Sequence, residues 1–406
     1  MSRAVPPLSL YVHLPWCVRK CPYCDFNSHA APARGVPQQA YVAALLDDLE
    51  FAARDCGGRP LVSIFFGGGT PSLFAPAAIG EVIERAVQLL GVAADLEVTL
   101  EANPGTIERG RFAEYRAAGV TRVSLGAQSF DARQLVALGR IHARDETLAA
   151  VDELRAAGLD NFNLDLMYAL PQQTVAEAVA DLEQALALGP AHVSHYQLTL
   201  EPGTAFERRP PPVPDDDTSL AMQLACQQRL AAAGYRHYEV SAYAQPGRAC
   251  RHNLNYWRFG DYLGIGAGAH GKLSDAATGR VVRTARVKQP GLYLAATQPA
   301  ERLAEVREVP QADLAFEFCL NALRLCDGFD AALFEARTGR PWSDLAGTVA
   351  AAEAHGLLAA EAGGRWVPTE LGQRFLNDLQ AMFLPEACDR SPGGHAKSLA
   401  PGPGIG

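Results

Sequence analysis

Cys17, Cys21 and Cys24 stand in a C-x3-C-x2-C run, Cys17-Val18-Arg19-Lys20-Cys21-Pro22-Tyr23-Cys24. Three thiolates this close on one loop suit an iron–sulfur cluster. A cubane has four irons, so three cysteines leave one iron without a protein ligand. A small molecule with an amine and a carboxylate can chelate that iron, and S-adenosylmethionine is such a molecule. One-electron reduction of its sulfonium makes a carbon radical, chemistry that side chains do not supply. The alternative the residues leave open is a structural zinc site, Cys3His, completed by His29 or His13. The spacing departs from the paired C-x2-C of zinc modules.

The elements that must hold this loop alternate strand and helix from Leu8 to about Leu200. The strands read as Leu8–Leu14, Leu61–Phe66, Leu96–Glu101, Thr121–Gln128, Asn161–Leu166 and His192–Leu198. The helices between them read as 37–56, 76–90, 106–118, 144–157 and 174–188, each followed by a glycine that supplies the left-handed turn ending it. Six β/α units predict a parallel sheet with right-handed crossovers.

Within four strands one face is apolar and the other polar: Leu8, Leu10, Val12 and Leu14 against Ser9, Tyr11 and His13, for example. The polar faces of the others carry Glu97, Thr99 and Glu101; Arg122, Ser124, Gly126 and Gln128; and Asn161, Asn163 and Asp165. A parallel strand covered on both sides reads as a continuous apolar run, and a closed eight-stranded barrel fills its lumen with aliphatics. The pattern therefore predicts a wider, incomplete parallel (β/α)6 barrel with a polar interior around a ligand; a solvent-facing polar edge on each strand is the alternative. Gly67-Gly68-Gly69-Thr70, after the second strand, lets backbone approach a ligand closely.

Further along, a proline-rich loop over 199–217 leads into a helix, then a strand near Tyr238–Tyr243. Arg251-His252-Asn253-Leu254-Asn255-Tyr256-Trp257 runs into a glycine-rich turn ending at Gly271. Aromatics beside a histidine make either a flat apolar slot with a metal ligand or a packed corner. From about Glu301 helices take over, with a short hairpin over 357–368 and a helix from Glu370 to Met382, resembling a winged helix. Such units bind DNA, yet Glu305 to Gln380 carries 12 acidic residues against 6 arginines. That charge repels phosphates and makes this a covering or docking unit. The units are thus expected at 1–200, 201–300 and 301–384, with a disordered Pro-, Gly- and Ser-rich tail at 385–406.

The 406 residues, 48% apolar and 20% charged, describe a soluble globular protein. No apolar run is long enough to span a membrane, no signal peptide is read, and the cytoplasm is the expected compartment. A net charge of −9 argues against nucleic acid as a partner. Cys56, Cys226, Cys250, Cys319, Cys326 and Cys388 are scattered and read as ordinary thiols.

Taken together the motifs resemble the radical-SAM superfamily, within it the oxygen-independent coproporphyrinogen oxidase-like group, and there the haem-chaperone (HemW) branch. The likeness runs from Tyr11 to about Phe383. It rests on the cysteine loop, Gly67-Gly68-Gly69-Thr70-Pro71, Ser124-Leu125-Gly126-Ala127-Gln128-Ser129-Phe130, Leu138-Gly139-Arg140-Ile141-His142 and Asn163-Leu164-Asp165-Leu166. The resemblance implies a [4Fe-4S] cluster on Cys17, Cys21 and Cys24. It implies S-adenosylmethionine against Tyr11, Tyr23, Gly68, Gly69, Thr70, Glu101, Gln128, Arg140 and Asp165, and it assigns no catalytic side chain. Three departures point to the chaperone branch. Phe26 stands where the oxidases carry a further cysteine, only ten residues precede Tyr11, and His252-Asn253-x-x-Tyr256-Trp257 matches that branch's H-N-x-x-Y-W. The branch implies haem as cargo, with His252 a haem contact, and haem-acceptor proteins, respiratory ones among them, as partners. The oxidase activity, cleavage of S-adenosylmethionine and dimerisation stay open at this stage.

Overall fold

The computed structural model describes residues 5–105 and 110–385. Six strands and their crossover helices build the first half: β1 (Leu8–Leu14), β2 (Leu61–Gly68), β3 (Val92–Ala102), β4 (Arg122–Gln128), β5 (Phe162–Tyr168) and β6 (His192–Gln197). All five neighbouring pairs among them are parallel. The helices are α1 (Gln38–Ala53), α2 (Pro76–Leu90), α3 (Phe112–Ala117), α4 (Ala132–Ala137), α5 (Arg144–Ala156) and α6 (Val175–Ala187). The five glycines expected to end helices, Gly57, Gly91, Gly119, Gly158 and Gly189, all have positive φ, where a side chain would be strained.

The sheet extends well beyond six strands. It continues through β7 (Arg236–Glu239), β8 (Ala242–Ala244), β9 (Asp261–Ile265), β10 (His270–Ser274), β11 (Val281–Arg286) and β12 (Leu303–Glu308). The strand order is β12-β11-β10-β9-β1-β2-β3-β4-β5-β6-β8-β7. Among the described residues the two edges do not pair, so the barrel is incomplete. β9 lies parallel to β1, making a seventh parallel strand, and the outer strands are antiparallel.

Here the structure refines the sequence reading. The strand near Tyr238–Tyr243 is a tight hairpin, broken at Val240-Ser241. The glycine-rich segment and the residues after it make three sheet strands, β9 to β11. The helix expected over 370–382 breaks at Phe375 into Glu370–Arg374 and Leu376–Ala381. The expected helix start at 106–109 and the tail at 386–406 lie outside the described residues.

The apolar faces of β1 to β5 pack the helices: Leu8, Leu10, Val12, Val98, Leu100, Val123, Leu125, Leu164 and Leu166 share one core. The polar faces are equally enclosed. Ser9, His13, Thr99, Arg122, Ser124, Gln128 and Asn163 are all under 7% exposed, which rules out solvent-facing strand edges. α9 (Arg251–Trp257), which follows α7 (Ala205–Arg208) and α8 (Asp216–Ala232), packs on β1, β2 and β9. It closes the end where the parallel strands begin: Asn255 donates to Ser9 and the Arg251 amide to Glu97. Past β12, the helices Leu314–Ala322, Ala331–Thr338 and Ser343–Ala354 and the hairpin of Leu358–Glu361 with Arg365–Pro368 enclose a second core around Phe318, Phe329 and Phe334.

One buried carboxylate ties the late strands to the first crossover helix. Asp48 on α1, fully enclosed, is clasped by Arg286 Nε at 2.9 and 3.0 Å and by the Tyr293 hydroxyl at 2.8 Å, with the Gly266 amide at 3.3 Å. Removing one charge of a buried pair strands the other. Asp48→Asn should therefore cost about 3–5 kcal/mol, seen as a large fall in the denaturation midpoint. A loss under about 1 kcal/mol would show that the node is not holding the two parts together.

Candidate cluster and cofactor site

Because the six strands are parallel, their C-terminal ends gather on one rim, and the site residues come to it from strands and the loops after them, spread over the first 165 positions. The cysteine loop leaves β1 at Leu14 and is pinned at its base by a two-residue pairing, Trp16–Cys17 with His29–Ala30. Asn27 fastens its far side: Nδ2 donates to the carbonyls of Ala267 and Lys288, both at 2.9 Å. Gly268 makes room, since a Cβ there would lie 2.2 Å from that amide nitrogen. At the opposite flank the Phe206 amide donates to the Pro22 carbonyl at 3.0 Å, and Tyr23 leans on the Phe206 ring.

The three cysteines are free and partly exposed. Burial pushes Cys17 up to about 11, with Cys21 and Cys24 adding repulsion, and burial raises Cys24 as well. Three thiolates here need a cation to coexist, which is what the irons of a cluster supply. Of the two histidines in the zinc alternative, His29 has Nε2 3.3 Å from Asn27 Oδ1, and His13 is already engaged at both ring nitrogens. Its Nε2 lies 3.0 Å from the Asn27 carbonyl, which can only accept, so Nδ1 carries the lone pair and takes the Tyr11 hydroxyl at 3.1 Å. Nor do three His, Cys, Asp or Glu side chains converge on one metal position among the described residues.

Gly68 and Gly69 do more than admit a ligand. Gly68 has φ +111, and a Cβ on it would sit 2.4 Å from the His13 ring. One on Gly69 would lie 2.6 Å from the Trp16 carbonyl oxygen. Backbone amides of Gly69 and Thr70 donate to Leu14 and Trp16 carbonyls, both at 2.8 Å, so the glycine run is packed directly onto the cysteine loop.

Inside the rim Glu101 receives the Gly68 amide at 3.2 Å. Burial, with Asp165 adding its charge, pushes this carboxyl up to about 8, and the Gly68 amide and Arg122 only partly offset that. Asp165 is better served: Asn163 Nδ2 donates at 2.7 Å and the Ser124 hydroxyl at 3.2 Å, though burial still raises it. Gln128 ends β4 with φ +66, rare for a residue with a side chain; its Oε1 accepts from the Tyr196 hydroxyl at 2.6 Å. Arg140 reaches back from the end of α4 to Cys21 Sγ at 3.6 Å and to the Gly126 carbonyl at 2.7 Å, and also donates to Asn103. Asn103 in turn donates to Thr70 at 2.8 Å. A pocket beside the cysteine loop is lined by Cys21, Thr70, Asn103, Arg140 and His142.

His252 lies deeper. It is 2% exposed, bonded through Nδ1 to Ser63 at 3.1 Å and flanked by Tyr11 and Phe65. Burial, aided by Arg122, lowers it to about 3. The packed corner is the form the chain takes here. Asn103, Asn27 and Tyr196 are contributors the sequence reading passed over. Asn103 was within reach, two positions past Glu101 on the same alternating face. Asn27 was not, because its partners lie 240 and 261 positions away.

Comparison with known proteins follows the same outline. The radical SAM superfamily matches residues 11–185 and the HemN C-terminal domain residues 309–375. The chain is 47% identical over 382 residues to the heme chaperone HemW of Escherichia coli (strain K12), covering 94% of this chain and 99% of that protein. It is 47% identical over 386 residues to the heme chaperone HemW of Haemophilus influenzae, again over 94% and 99%. Among solved structures it resembles coproporphyrinogen III oxidase (HemN) from Escherichia coli, described as a radical SAM enzyme. The TM-score is 0.77 over 93% of this chain and 90% of that one, at 22% identity, a likeness of fold. Identity this high along almost the whole length, on a sheet whose rim carries the three-cysteine loop, means that the chain belongs to the HemW family of radical-SAM proteins.

Proposed function

We propose that the chain is a haem chaperone, which binds haem and delivers it to acceptor proteins, built on a radical-SAM core. The observation that carries this is the 47% identity over 94% of the chain to proteins named heme chaperone. In this reading Cys17, Cys21 and Cys24 hold a [4Fe-4S] cluster, and Tyr11, Tyr23, Gly68, Gly69, Thr70, Glu101, Gln128, Arg140 and Asp165 hold S-adenosylmethionine. Bound together, these two groups supply one-electron reductive chemistry at the rim.

The residues support such an occupant. Glu101 has one backbone donor for a carboxyl that burial disfavours as an anion, so a ligand bringing a cation or hydroxyl donor satisfies it. Arg140 sets a guanidinium nitrogen 3.6 Å from Cys21 Sγ, a cationic neighbour for whatever the loop holds. Phe26 in place of a fourth cysteine supports the chaperone over the oxidase, and the fold shared with the oxidase favours neither. Haem is assigned to the segment around His252. That ring lies between α9, which carries it, and the sheet, with Nδ1 taken by Ser63, so haem reaches it only when α9 moves off the strands and the Ser63 bond opens. Haem-acceptor proteins in the cytoplasm or at the respiratory membrane are the partners. Among the described residues no helix is long and apolar enough to cross a membrane.

The test is anaerobic reconstitution of the cluster followed by titration with haem, read by absorption spectroscopy. Saturable haem uptake is expected, and its absence sinks the reading. His252→Ala should weaken haem binding about tenfold; unchanged affinity returns the residue to packing alone.

The Glu101 carboxyl gives a prediction independent of haem. Folded, it binds a proton up to about 8, whereas its ordinary value is 4.5. The folded chain therefore holds a proton that the unfolded one has lost between those limits, and stability declines as pH rises through the window. The buried histidines, lowered to about 4, have their effect below 7, and Cys17 has its effect above 9. Between pH 7 and 8.5 the cofactor-free protein should lose thermal stability, and Glu101→Gln should flatten that slope. Equal slopes in the two proteins would show that Glu101 ionises normally.

A further inference from the structure

Glu97, Ser63 and Ser9 hold α9 from inside the sheet. Glu97 Oε1 accepts the Arg251 amide at 2.8 Å and lies 3.6 Å from Cys250 Sγ, both at the helix start. His252 Nδ1 is bonded to Ser63 at 3.1 Å, and Asn255 donates to Ser9 at 2.9 Å. Ser63 also donates to Ser9 at 2.8 Å, so the two serines keep each other when the helix is away. The Tyr238 hydroxyl, 3.4 Å from the Cys250 amide, likewise keeps His192 at 2.8 Å. Glu97 has a second partner within reach as well. Arg122 stands opposite Thr99 on the neighbouring strand, and residues two apart share a face, so Glu97 and Arg122 are diagonal neighbours about 8 Å apart at the backbone. Side chains of this length close such a gap. Yet Arg122 is 2% exposed and its Nε has no partner.

Buried polar groups are nearly always paired, and opening a contact is costliest where it strands one of them. Here each group that α9 leaves behind has a replacement on the sheet, and the replacement for Glu97 is a guanidinium one bond short. The two helix ends differ in their hold. Gln245 to Arg248, just ahead of the helix, are exposed. At the other end Phe259 is buried in the second core and Trp257 lies under the Arg324 guanidinium at 4.4 Å. The N-terminal end is thus the one built to lift. We propose that α9 is a lid hinged at its C-terminal end and that Glu97 is its latch, bonded to the helix start when closed and to Arg122 when open. Opening bares His252, so the lid controls access of haem; that purpose rests on the haem assignment above, and the latch itself does not.

The test uses the full chain with its cluster reconstituted anaerobically. Hydrogen–deuterium exchange of the α9 amides is followed without haem, and haem association is timed separately by stopped-flow absorption. Arg122→Met removes the open-state partner and leaves the closed contacts in place. It should slow α9 exchange about tenfold, the scale of a hydrogen bond between charged groups, and slow haem association to match. In Glu97→Ala the latch is gone, so adding Arg122→Met to that variant should change neither rate. The proposal is overturned if Arg122→Met leaves α9 exchange unchanged or faster. It is overturned too if the substitution slows exchange equally in both backgrounds, which marks a packing effect. Should Arg122→Met fail to fold, Arg122→Gln, neutral but polar, takes its place in both backgrounds with the same directions expected. Exchange that follows the latch while haem association does not would remove haem from His252 and leave the lid standing.

Discussion

The carboxylate of Asp48 is the constraint on which the placement of the cysteine loop depends. It lies with no solvent contact between Arg286, Tyr293 and the Gly266 amide. Its helix also carries Tyr41, whose hydroxyl donates to the His13 carbonyl and receives the Ala267 amide. Ala267 then offers its own carbonyl to Asn27 in the cysteine loop. An ion pair of this kind adds little net stability over an apolar substitute. What it does is fix a register: β11, the turn after β9 and the loop of three thiols are set from one point on α1.

The polar interior has a different logic. Burying Arg122, Asp165, Asn163, His192 and Glu101 together is costly unless each finds partners. Most do. His192 bridges Asn163 at 2.7 Å and the Tyr238 hydroxyl at 2.8 Å, and Asn163 serves Asp165. Unpaired atoms remain at both ends: Arg122 Nε, Asn253 Oδ1 and Trp257 Nε1 toward α9, and Arg140 Nε and His142 Nδ1 at the rim, where Glu101 has a single backbone donor.

Much of this was legible in the sequence because strand periodicity is a direct readout of burial. Ser9, Tyr11 and His13, or Ser124, Gly126 and Gln128, cannot alternate with aliphatics by accident along four strands, and all proved interior-facing. The glycine-terminated helices were equally plain. What escaped was long-range. β10 to β12 do not alternate cleanly, being antiparallel edge strands with partly exposed residues on both faces. β9 sits beside β1 across some 250 positions, a pairing no local pattern announces. Gly68 was read as making room for a ligand, and the ring it admits is that of His13. His252 stood in a segment whose chemistry suited a ligand or a corner, and only packing could show the corner.

The Asn27 fastening has a consequence for how the protein is made. Synthesis runs from the N-terminus, so the three cysteines, at positions 17 to 24, are made long before their partners. Their loop is held by carbonyls of Ala267 and Lys288, and β1 has β9 for a neighbour. None of these exists until two thirds of the chain has been translated. A nascent chain therefore carries the three cysteines for most of its elongation without the contacts that hold their loop in the folded protein.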